Sequence, residues 1–251
     1  MQFKLIAFDL DNTLAPSRGP VSEGMALRIA ELLQYMDVCI ITGGSTNQIV
    51  KQVIDRLPMD ADLSRLHLMP TCGTKYLQFI DGDLVTRYEQ NLSPKDADAA
   101  MHELEFAAKF YGFWEENSWG EIIENRGSQI TFSALGQQAP LEEKELWDIE
   151  NTKKKKIKKA VESRLPHLEV RVGGTTSIDV TMKGIDKGYG ISKLSDLTGI
   201  DTKSMLFIGD RLDKDGNDYP VKSTGASCVA VKSPDGTLVI IDELLKNWYH
   251  K

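Results

Sequence analysis

The sequence of 251 residues has little of several features that would identify other classes of protein. Its three cysteines are odd in number and show no C-x-x-C spacing, which favours a reducing compartment over a disulfide framework or a zinc site. No stretch approaches about 18 consecutive apolar residues, so we expect no membrane-spanning segment. Low-complexity tracts are nearly absent, and a hydrophobic fraction of 41% is too high for a mainly disordered chain.

Basic residues are also outnumbered by acidic ones. The chain has 30 basic and 37 acidic residues, which gives a formal net charge of −7. Such a chain is repelled by nucleic-acid phosphates, so we expect no nucleic-acid partner. The strongly basic segment at residues 153–159 is interpreted as a solvated helix face, with Ile157 and Val161 turned inward. The composition therefore predicts a cytoplasmic globular protein without a membrane partner.

Alternating strand and helix patterns predict a doubly wound α/β core. Residues 3–9, 38–41 and 205–208 are short apolar runs that end in polar residues, as the buried strands of a parallel sheet do. The middle of the chain combines helices with alternating strands, which indicates an inserted α+β unit. We therefore predict two domains: a catalytic core at 1–82 and 184–251, and a cap at 83–183.

The predicted strand ends carry clusters of polar residues. Asp9 and Asp11 follow the first strand, Thr42 follows the second, and an acidic loop runs from Asp210 to Asp218. Open α/β sheets bind ligands beyond the carboxyl ends of their strands. Carboxylates held close together repel each other, so a cation or a split in their pKa values must make the arrangement tolerable. Mg²⁺ is the natural candidate, because it prefers carboxylate, carbonyl and phosphate oxygens.

These clusters, taken in order, resemble the signature of the haloacid dehalogenase superfamily of phosphotransferases. The signature elements are the D-x-D-x-[TV] motif, a strand-end threonine, a lysine and an acidic loop, matched here by Asp9, Asp11 and Thr13, by Thr42, by Lys187 and by Asp210–Asp218. The insert lies between the second and third elements, where the larger caps of this superfamily belong. The resemblance implies a doubly wound parallel-sheet core with an inserted α+β cap that determines substrate specificity.

Within the superfamily, the chain is most similar to subfamily IIB and to the eukaryotic-type phosphomannomutases. Asp210 and Asp218 are eight residues apart, as in the longer acidic loop of that family. The segment GGTTSIDV, with Ser177 and Asp179, resembles the family's GG-x-x-S-x-D-V cap strand. Arg18 falls where the family has a substrate-binding arginine. The resemblance covers nearly the whole chain.

The resemblance implies a covalent route through an aspartyl-phosphate. Asp9 would attack phosphorus, and Asp11 would serve as the general acid and base. Lys187 would neutralise the nucleophile and the phosphoryl group, while Thr42 and the N–H group of Gly43 would hold phosphate oxygens.

The remaining implied roles concern the metal and the substrate. Mg²⁺ would be held by Asp9, the backbone carbonyl of Asp11, Asp210 and Asp218. Whether Asp213 or Asp215 also contacts the metal stays open, and solvated loop charges are the favoured interpretation for both. The sugar or a second phosphate would be bound in the cap by Ser177, Asp179 and Arg126.

The choice between hydrolysis and mutase chemistry depends on the cap. Gln137 occupies the position where the mutases have an arginine that binds phosphate. The nearby Arg126 is still available to bind phosphate in its place. Losing a charge-assisted contact costs about 1.5–3 kcal/mol, which weakens the hold on a distal phosphate and gives water more chance to react. We therefore predict a phosphatase of phosphorylated sugars or similar small metabolites.

Two alternatives stay open beside the phosphatase. The first is a phosphomannomutase, which interconverts mannose 6-phosphate and mannose 1-phosphate. The second is a non-catalytic binding protein on the same fold, which the presence of Asp9, Asp11, Lys187 and Asp210 disfavours. The family likeness also permits a homodimer formed through the cap.

Overall fold

The computed structural model describes residues 3–249, so the outermost residues of the predicted core domain lie outside the described residues. The chain divides into two compact units. We call Met1–Glu89 with Ile185–Lys251 the core unit and Gln90–Gly184 the insert unit.

The strands of both units are short, with three to seven residues each. In chain order they are β1 (Leu5–Phe8), β2 (Asp37–Ile41), β3 (Leu66–Met69), β4 (Lys75–Ile80), β5 (Asp83–Glu89), β6 (Ile123–Asn125), β7 (Gln129–Ser133), β8 (Leu168–Val172), β9 (Ser177–Met182), β10 (Met205–Gly209) and β11 (Ser227–Ala230).

The longer helices lie between these strands and after the last of them. They are α1 (Glu23–Leu33), α2 (Thr46–Gln52), α3 (Pro94–Phe110), α4 (Leu141–Trp147), α5 (Thr152–Arg164), α6 (Lys187–Thr198) and α7 (Pro234–Tyr249). α1 begins at Glu23 because the Ser22 hydroxyl accepts the Met25 N–H and caps the first turn. Among the helices of residues 3–249, none is both long and apolar enough to cross a membrane.

The core unit is built on a seven-stranded sheet of order β11-β10-β1-β2-β3-β4-β5. The first five strands of this order are parallel, and β4 pairs in antiparallel fashion with both of its neighbours, β3 and β5. Alternation along β1 sends Ile6 and Phe8 into an apolar cluster with α1 and α7, while Leu5 and Ala7 join a second cluster with α6. Helices thus cover both faces, and the predicted doubly wound α/β fold is confirmed.

The insert unit contains a four-stranded antiparallel sheet of order β6-β7-β9-β8. Ile130 and Phe132 of β7 pack with Ile178 and Val180 of β9 in an apolar cluster that includes residues of α3 and α5. Because side chains alternate along a strand, the polar residues of β7 and β9 lie on the opposite face of this sheet. The α+β character that the sequence predicts for the insert is therefore present.

The first unit boundary differs from the predicted one. The sequence placed it after Gly82, whereas the units divide between Glu89 and Gln90. The sequence also predicts a hairpin that turns at Asp81-Gly82, and the structure confirms it: Gly82 has φ of +89°, and β5 pairs back onto β4 from Asp83 to Glu89. This backbone pairing keeps β5 with the core sheet. The second boundary, after Gly184, lies one residue beyond the predicted one.

A close backbone contact inside the core unit gives a test of the packing. Gly73 has φ of +85°, and a Cβ atom there would lie 2.5 Å from the Gly190 Cα atom of α6. We expect Gly73→Ala to lower the free energy of unfolding by roughly 2–4 kcal/mol, from left-handed strain plus overpacking. Urea denaturation measures the loss.

The matched control is Gly82→Ala. Gly82 has φ of +89° with nothing within 4 Å of its Cβ position, so this substitution carries the strain alone. Equal losses for the two variants would show that the contact between Gly73 and Gly190 contributes nothing.

Candidate active site

Two neighbouring parallel strands bring the first carboxylates together. β1 pairs with β10, and the Asp9 N–H donates to the Ile208 carbonyl at 2.9 Å, just beyond the last paired residues. Asp9 and Asp210 therefore follow adjacent strand ends. Asp9 is buried, and Asp210 is half-buried. The predicted proximity of the two motifs is present in the structure.

A buried lysine joins Asp9 to the end of the acidic loop. Lys187 is the first residue of α6, and its ammonium donates to Asp9 Oδ1 and, at 2.5 Å, to Asp218 Oδ1. Neither Lys187 nor Asp218 is exposed at all. The second oxygen of Asp9 accepts the Thr13 hydroxyl at 3.3 Å. One ammonium thus sits between two carboxylates, with Asp210 beside them.

The electrostatics of this cluster leave a surplus of negative charge. Burial raises the pKa of Asp9 to about 7, although Lys187 favours the ionised form, and Asp218 raises this pKa further. Burial and Asp218 likewise raise the pKa of Asp210. Burial disfavours the charged form of Lys187, but Asp9 and Asp218 outweigh it and raise the pKa of this lysine. The cluster would accommodate one more positive charge.

The donor set fits a hard divalent cation. Asp9, Asp210 and Asp218 can each offer a carboxylate oxygen, and these oxygens lie within 4.8 Å of one another. Carboxylate oxygens are the ligands that Mg²⁺ prefers, and the surplus negative charge favours its binding. The residues that the sequence predicts as side-chain metal ligands are therefore brought together.

The other acidic residues of the loop lie apart from this cluster. Asp213 accepts the Arg211 Nε–H at 2.9 Å and the Asp215 N–H at 3.1 Å, and both aspartates are exposed. The structure places them as solvated loop charges, which is the interpretation that the sequence favoured.

Gly209 precedes Asp210 in the acidic-loop motif, and the structure gives this glycine a packing role that the sequence did not predict. A Cβ atom at Gly209 would lie 2.3 Å from Asp218 Oδ2, so only glycine leaves room for this carboxylate beside the strand. The same oxygen accepts the Arg211 N–H at 3.0 Å.

Asp11 has a separate set of contacts. Its Oδ1 accepts the backbone N–H of Arg18 at 2.7 Å, and its Oδ2 accepts the Gln48 Nε2–H at 2.9 Å. Gln52 Nε2 lies 3.4 Å from Oδ1. Arg18 is exposed and has φ of +60°. The structure thus places the backbone N–H of Arg18 in contact with Asp11, and it adds two glutamines that were not among the predicted residues.

Thr42 follows β2 and is buried. Its N–H donates to the Met69 carbonyl at 3.1 Å, and its hydroxyl accepts the Gly44 N–H at 3.0 Å. Gly43, between them, is half-buried. Because β2 pairs in parallel with β1, this turn lies at the same sheet edge as Asp9.

In the insert unit, Asp179 belongs to a buried polar cluster on the sheet face opposite the helices. Thr131 Oγ1 donates to Asp179 Oδ1 at 2.7 Å, and Gln129 Nε2 donates to the same oxygen at 2.9 Å. Gln129 and Thr131 are both buried. These two residues were not among the predicted ones, although the alternation along β7 indicated the face they share.

Ser177 and Gln137 are linked through Ser133 on the same face. Gln137 Nε2 donates to the Ser133 hydroxyl at 3.0 Å, and the hydroxyls of Ser133 and Ser177 are 3.4 Å apart. Arg126 donates twice to Glu124 Oε2, at 2.6 and 2.8 Å. Its guanidinium is therefore engaged in an ion pair, although the sequence had suggested it as a phosphate ligand.

Comparison with known proteins agrees with this architecture. A sequence model described as eukaryotic phosphomannomutase matches residues 100–247, more than half of the chain. Phosphomannomutase 2 of Dictyostelium discoideum is 26% identical over 257 residues, covering 94% of each protein. Phosphomannomutase of Saccharomyces cerevisiae is 27% identical over 270 residues, covering 96% of this chain and 93% of its own.

A solved structure shows the same fold. A haloacid dehalogenase-like hydrolase from Bacteroides thetaiotaomicron superposes with a TM-score of 0.63 at 17% identity, covering 96% of this chain and 99% of its own. The resemblance inferred from the motifs is confirmed. Because the family match spans more than half of the sequence, this chain belongs to the eukaryotic phosphomannomutase family.

Proposed function

We propose that this chain is a Mg²⁺-dependent phosphomannomutase that works through an aspartyl-phosphate at Asp9. The observation that carries the chemistry is the buried cluster in which Lys187 joins Asp9 to Asp218, with Asp210 beside them. The family match, which includes most of the insert unit, is the reason that we propose a mutase rather than a phosphatase.

Asp9 is the nucleophile in this proposal. Its carboxylate attacks phosphorus in line, a bond from Asp9 to phosphorus forms, and the bond from phosphorus to the sugar oxygen breaks. Lys187, bound to Asp9 Oδ1, spreads positive charge over the carboxylate and the incoming phosphoryl group. The buried position of Asp9 keeps competing water away from the phosphoenzyme.

Asp11 is the general acid and base in this proposal. Its carboxyl group gives a proton to the leaving sugar oxygen, and the resulting carboxylate takes a proton from the sugar hydroxyl that next attacks the phosphoenzyme. A sugar bisphosphate is the intermediate of the exchange, because each phosphate in turn must face Asp9. Thr42 and the Gly43 N–H bind phosphate oxygens at the adjacent strand end.

Asp9, Asp210 and Asp218 would hold Mg²⁺ by their side chains, together with the backbone carbonyl of Asp11. When bound, the ion supplies charge neutralisation for the transferring phosphoryl group and for the three carboxylates. The surplus negative charge of the cluster supports this assignment.

The phosphatase predicted from the sequence is less well supported than the mutase. That prediction depended on Gln137, an uncharged residue at one position. The structure shows Gln137 hydrogen-bonded to Ser133 and so linked to Ser177, within a polar face that also contains Asp179. A phosphate is held by several donors, so one missing arginine weakens binding without removing it.

We propose that the polar groups of the insert unit, Ser177, Asp179 and Arg126, bind the sugar or its distal phosphate. Arg126 must exchange its Glu124 partner for the phosphate to do so. The non-catalytic alternative is disfavoured, because the nucleophile, the lysine and the metal-binding carboxylates are all present and assembled. The homodimer remains a prediction.

Replacing the nucleophile tests the covalent route. Asp9→Asn removes the attacking charge, and we expect turnover of mannose 1-phosphate to fall at least about a thousandfold. Circular dichroism should show a folded protein, because Asp218 still pairs with Lys187. Asp215→Asn, in the exposed loop, is the matched control. Substantial turnover in Asp9→Asn would refute the assignment.

Removing the metal tests its role. We expect EDTA to stop turnover and added Mg²⁺ to restore it, because the carboxylate cluster loses its counter-charge without the ion. Isothermal titration of the metal-free protein with Mg²⁺ should show one site that Asp210→Asn weakens. Full activity after thorough chelation would contradict the metal assignment.

The products distinguish a mutase from a phosphatase. With mannose 1-phosphate and a hexose bisphosphate activator, we expect mannose 6-phosphate to exceed free mannose. Gln137→Arg should raise this ratio by roughly tenfold, because a guanidinium grips the distal phosphate with charge-assisted hydrogen bonds. Mass spectrometry quantifies both products. Predominantly free mannose from the wild-type protein would favour the phosphatase.

A further inference from the structure

Two glutamines of α2 hold the carboxylate of Asp11. Gln48 Nε2 donates to Oδ2 at 2.9 Å, and Gln52 Nε2 approaches Oδ1 at 3.4 Å. The two residues are four apart, so they share one face of the helix. Together with the Arg18 N–H on Oδ1, they surround the carboxylate with N–H donors on both oxygens.

The same amides leave two acceptors without partners. The Oε1 atoms of Gln48 and Gln52 are buried, and no residue of the described chain donates a hydrogen bond to either. A buried carbonyl oxygen without a donor destabilises a folded protein. Stability alone therefore does not account for the pair, whereas their contacts with Asp11 do.

The neighbouring backbone is shaped around these glutamines. A Cβ atom at Gly44 would lie 2.2 Å from Gln48 Oε1. Glycine at this position therefore leaves room for the Gln48 side chain beside the turn that follows β2. Gln52 Nε2 also donates to the Gly19 carbonyl at 2.5 Å. Gln52 thereby ties α2 to the loop that contains Arg18, the third donor to Asp11.

We propose that Gln48 and Gln52 are positioning residues for Asp11, which keep its carboxyl group oriented for proton transfer to and from the sugar oxygen. This inference rests on the proposed function, in which Asp11 is the general acid and base. The glutamines keep their own protons throughout. The proton moves only between Asp11 and the sugar oxygen as the bond from that oxygen to phosphorus breaks or forms.

The leaving group distinguishes this role from a general structural one. A sugar alkoxide leaves poorly and needs the proton from Asp11, whereas p-nitrophenolate leaves readily without one. If the glutamines position the acid, their loss slows phosphorylation of Asp9 by a sugar phosphate far more than by p-nitrophenyl phosphate. General disruption of the site would slow both reactions alike.

The experiment uses Gln48→Met and Gln52→Met in the full chain with Mg²⁺. Methionine is similar in size and has no N–H donor. The rate of the first turnover is measured by rapid quench with mannose 1,6-bisphosphate and by the p-nitrophenol burst with p-nitrophenyl phosphate. Gln34→Met, at the exposed end of α1, is the control for a glutamine far from Asp11 in the sequence.

For each variant we expect about a tenfold or greater loss of rate with the sugar phosphate and at most about a twofold loss with p-nitrophenyl phosphate. KM for the sugar phosphate should change little. The melting temperature of Gln48→Met should stay level or rise, because a buried oxygen without a donor is removed, whereas Gln52→Met also loses the hydrogen bond to the Gly19 carbonyl. Equal losses with both substrates, or no loss with either, would overturn the proposal. Each variant tests the proposal on its own, so if one of them misfolds, the other still gives a result.

Failure of the proposed function gives a different result. It would appear as a wild-type protein that gains no phosphoryl group from either substrate, and the positioning role would then fall with it. A wild-type protein that reacts with both substrates, beside variants that lose both equally, would reject the positioning role alone.

Discussion

One buried ammonium group holds the site together. Lys187 Nζ binds Asp9 and Asp218, two carboxylates that would otherwise repel each other in a region closed to water. Removing one member of a buried ion pair typically costs about 3–5 kcal/mol, because the remaining charge loses its partner. This contact joins the end of β1, the start of α6 and the end of the acidic loop. The positions of the proposed nucleophile, Asp9, and of a proposed metal ligand, Asp218, therefore depend on the same cation.

The sheet order makes this contact possible. β1 lies between β10 and β2, so the residues after these three strands meet at one edge. Asp9, Asp210 and Thr42 are the residues concerned, and each follows a buried apolar strand. Because helices cover both faces of the sheet, this edge is where polar backbone and side-chain groups can meet a charged ligand. A phosphoryl group and a divalent cation suit such an edge.

The balance of charge connects the geometry to the chemistry. The pKa values of Asp9 and Asp210 are raised by burial, and the ammonium of Lys187 pairs with Asp9 and Asp218 within this group of three carboxylates. An added cation would relieve this imbalance and favour the ionised, nucleophilic form of Asp9. By contrast, Asp11 is surrounded by neutral N–H donors, from Arg18 and Gln48 in particular, which orient its carboxylate. Two carboxylates separated by one residue thus occupy different environments, which suits the different roles that we propose for them.

The α/β architecture and the polar clusters at the strand ends could be predicted from the sequence, because apolar runs and strand-end motifs are local patterns. Asp9, Thr42 and Asp210 could be located in this way, and the order of the motifs identified the family. The tertiary structure decided which groups meet: Lys187 is 178 residues from Asp9, and Gln48 is 37 from Asp11. It also placed the unit boundary after Glu89, because both strands of the hairpin formed by β4 and β5 belong to the core unit. Contacts of this kind depend on chain reversal and on free space, such as that beside Gly209 and Gly44, which no local pattern encodes.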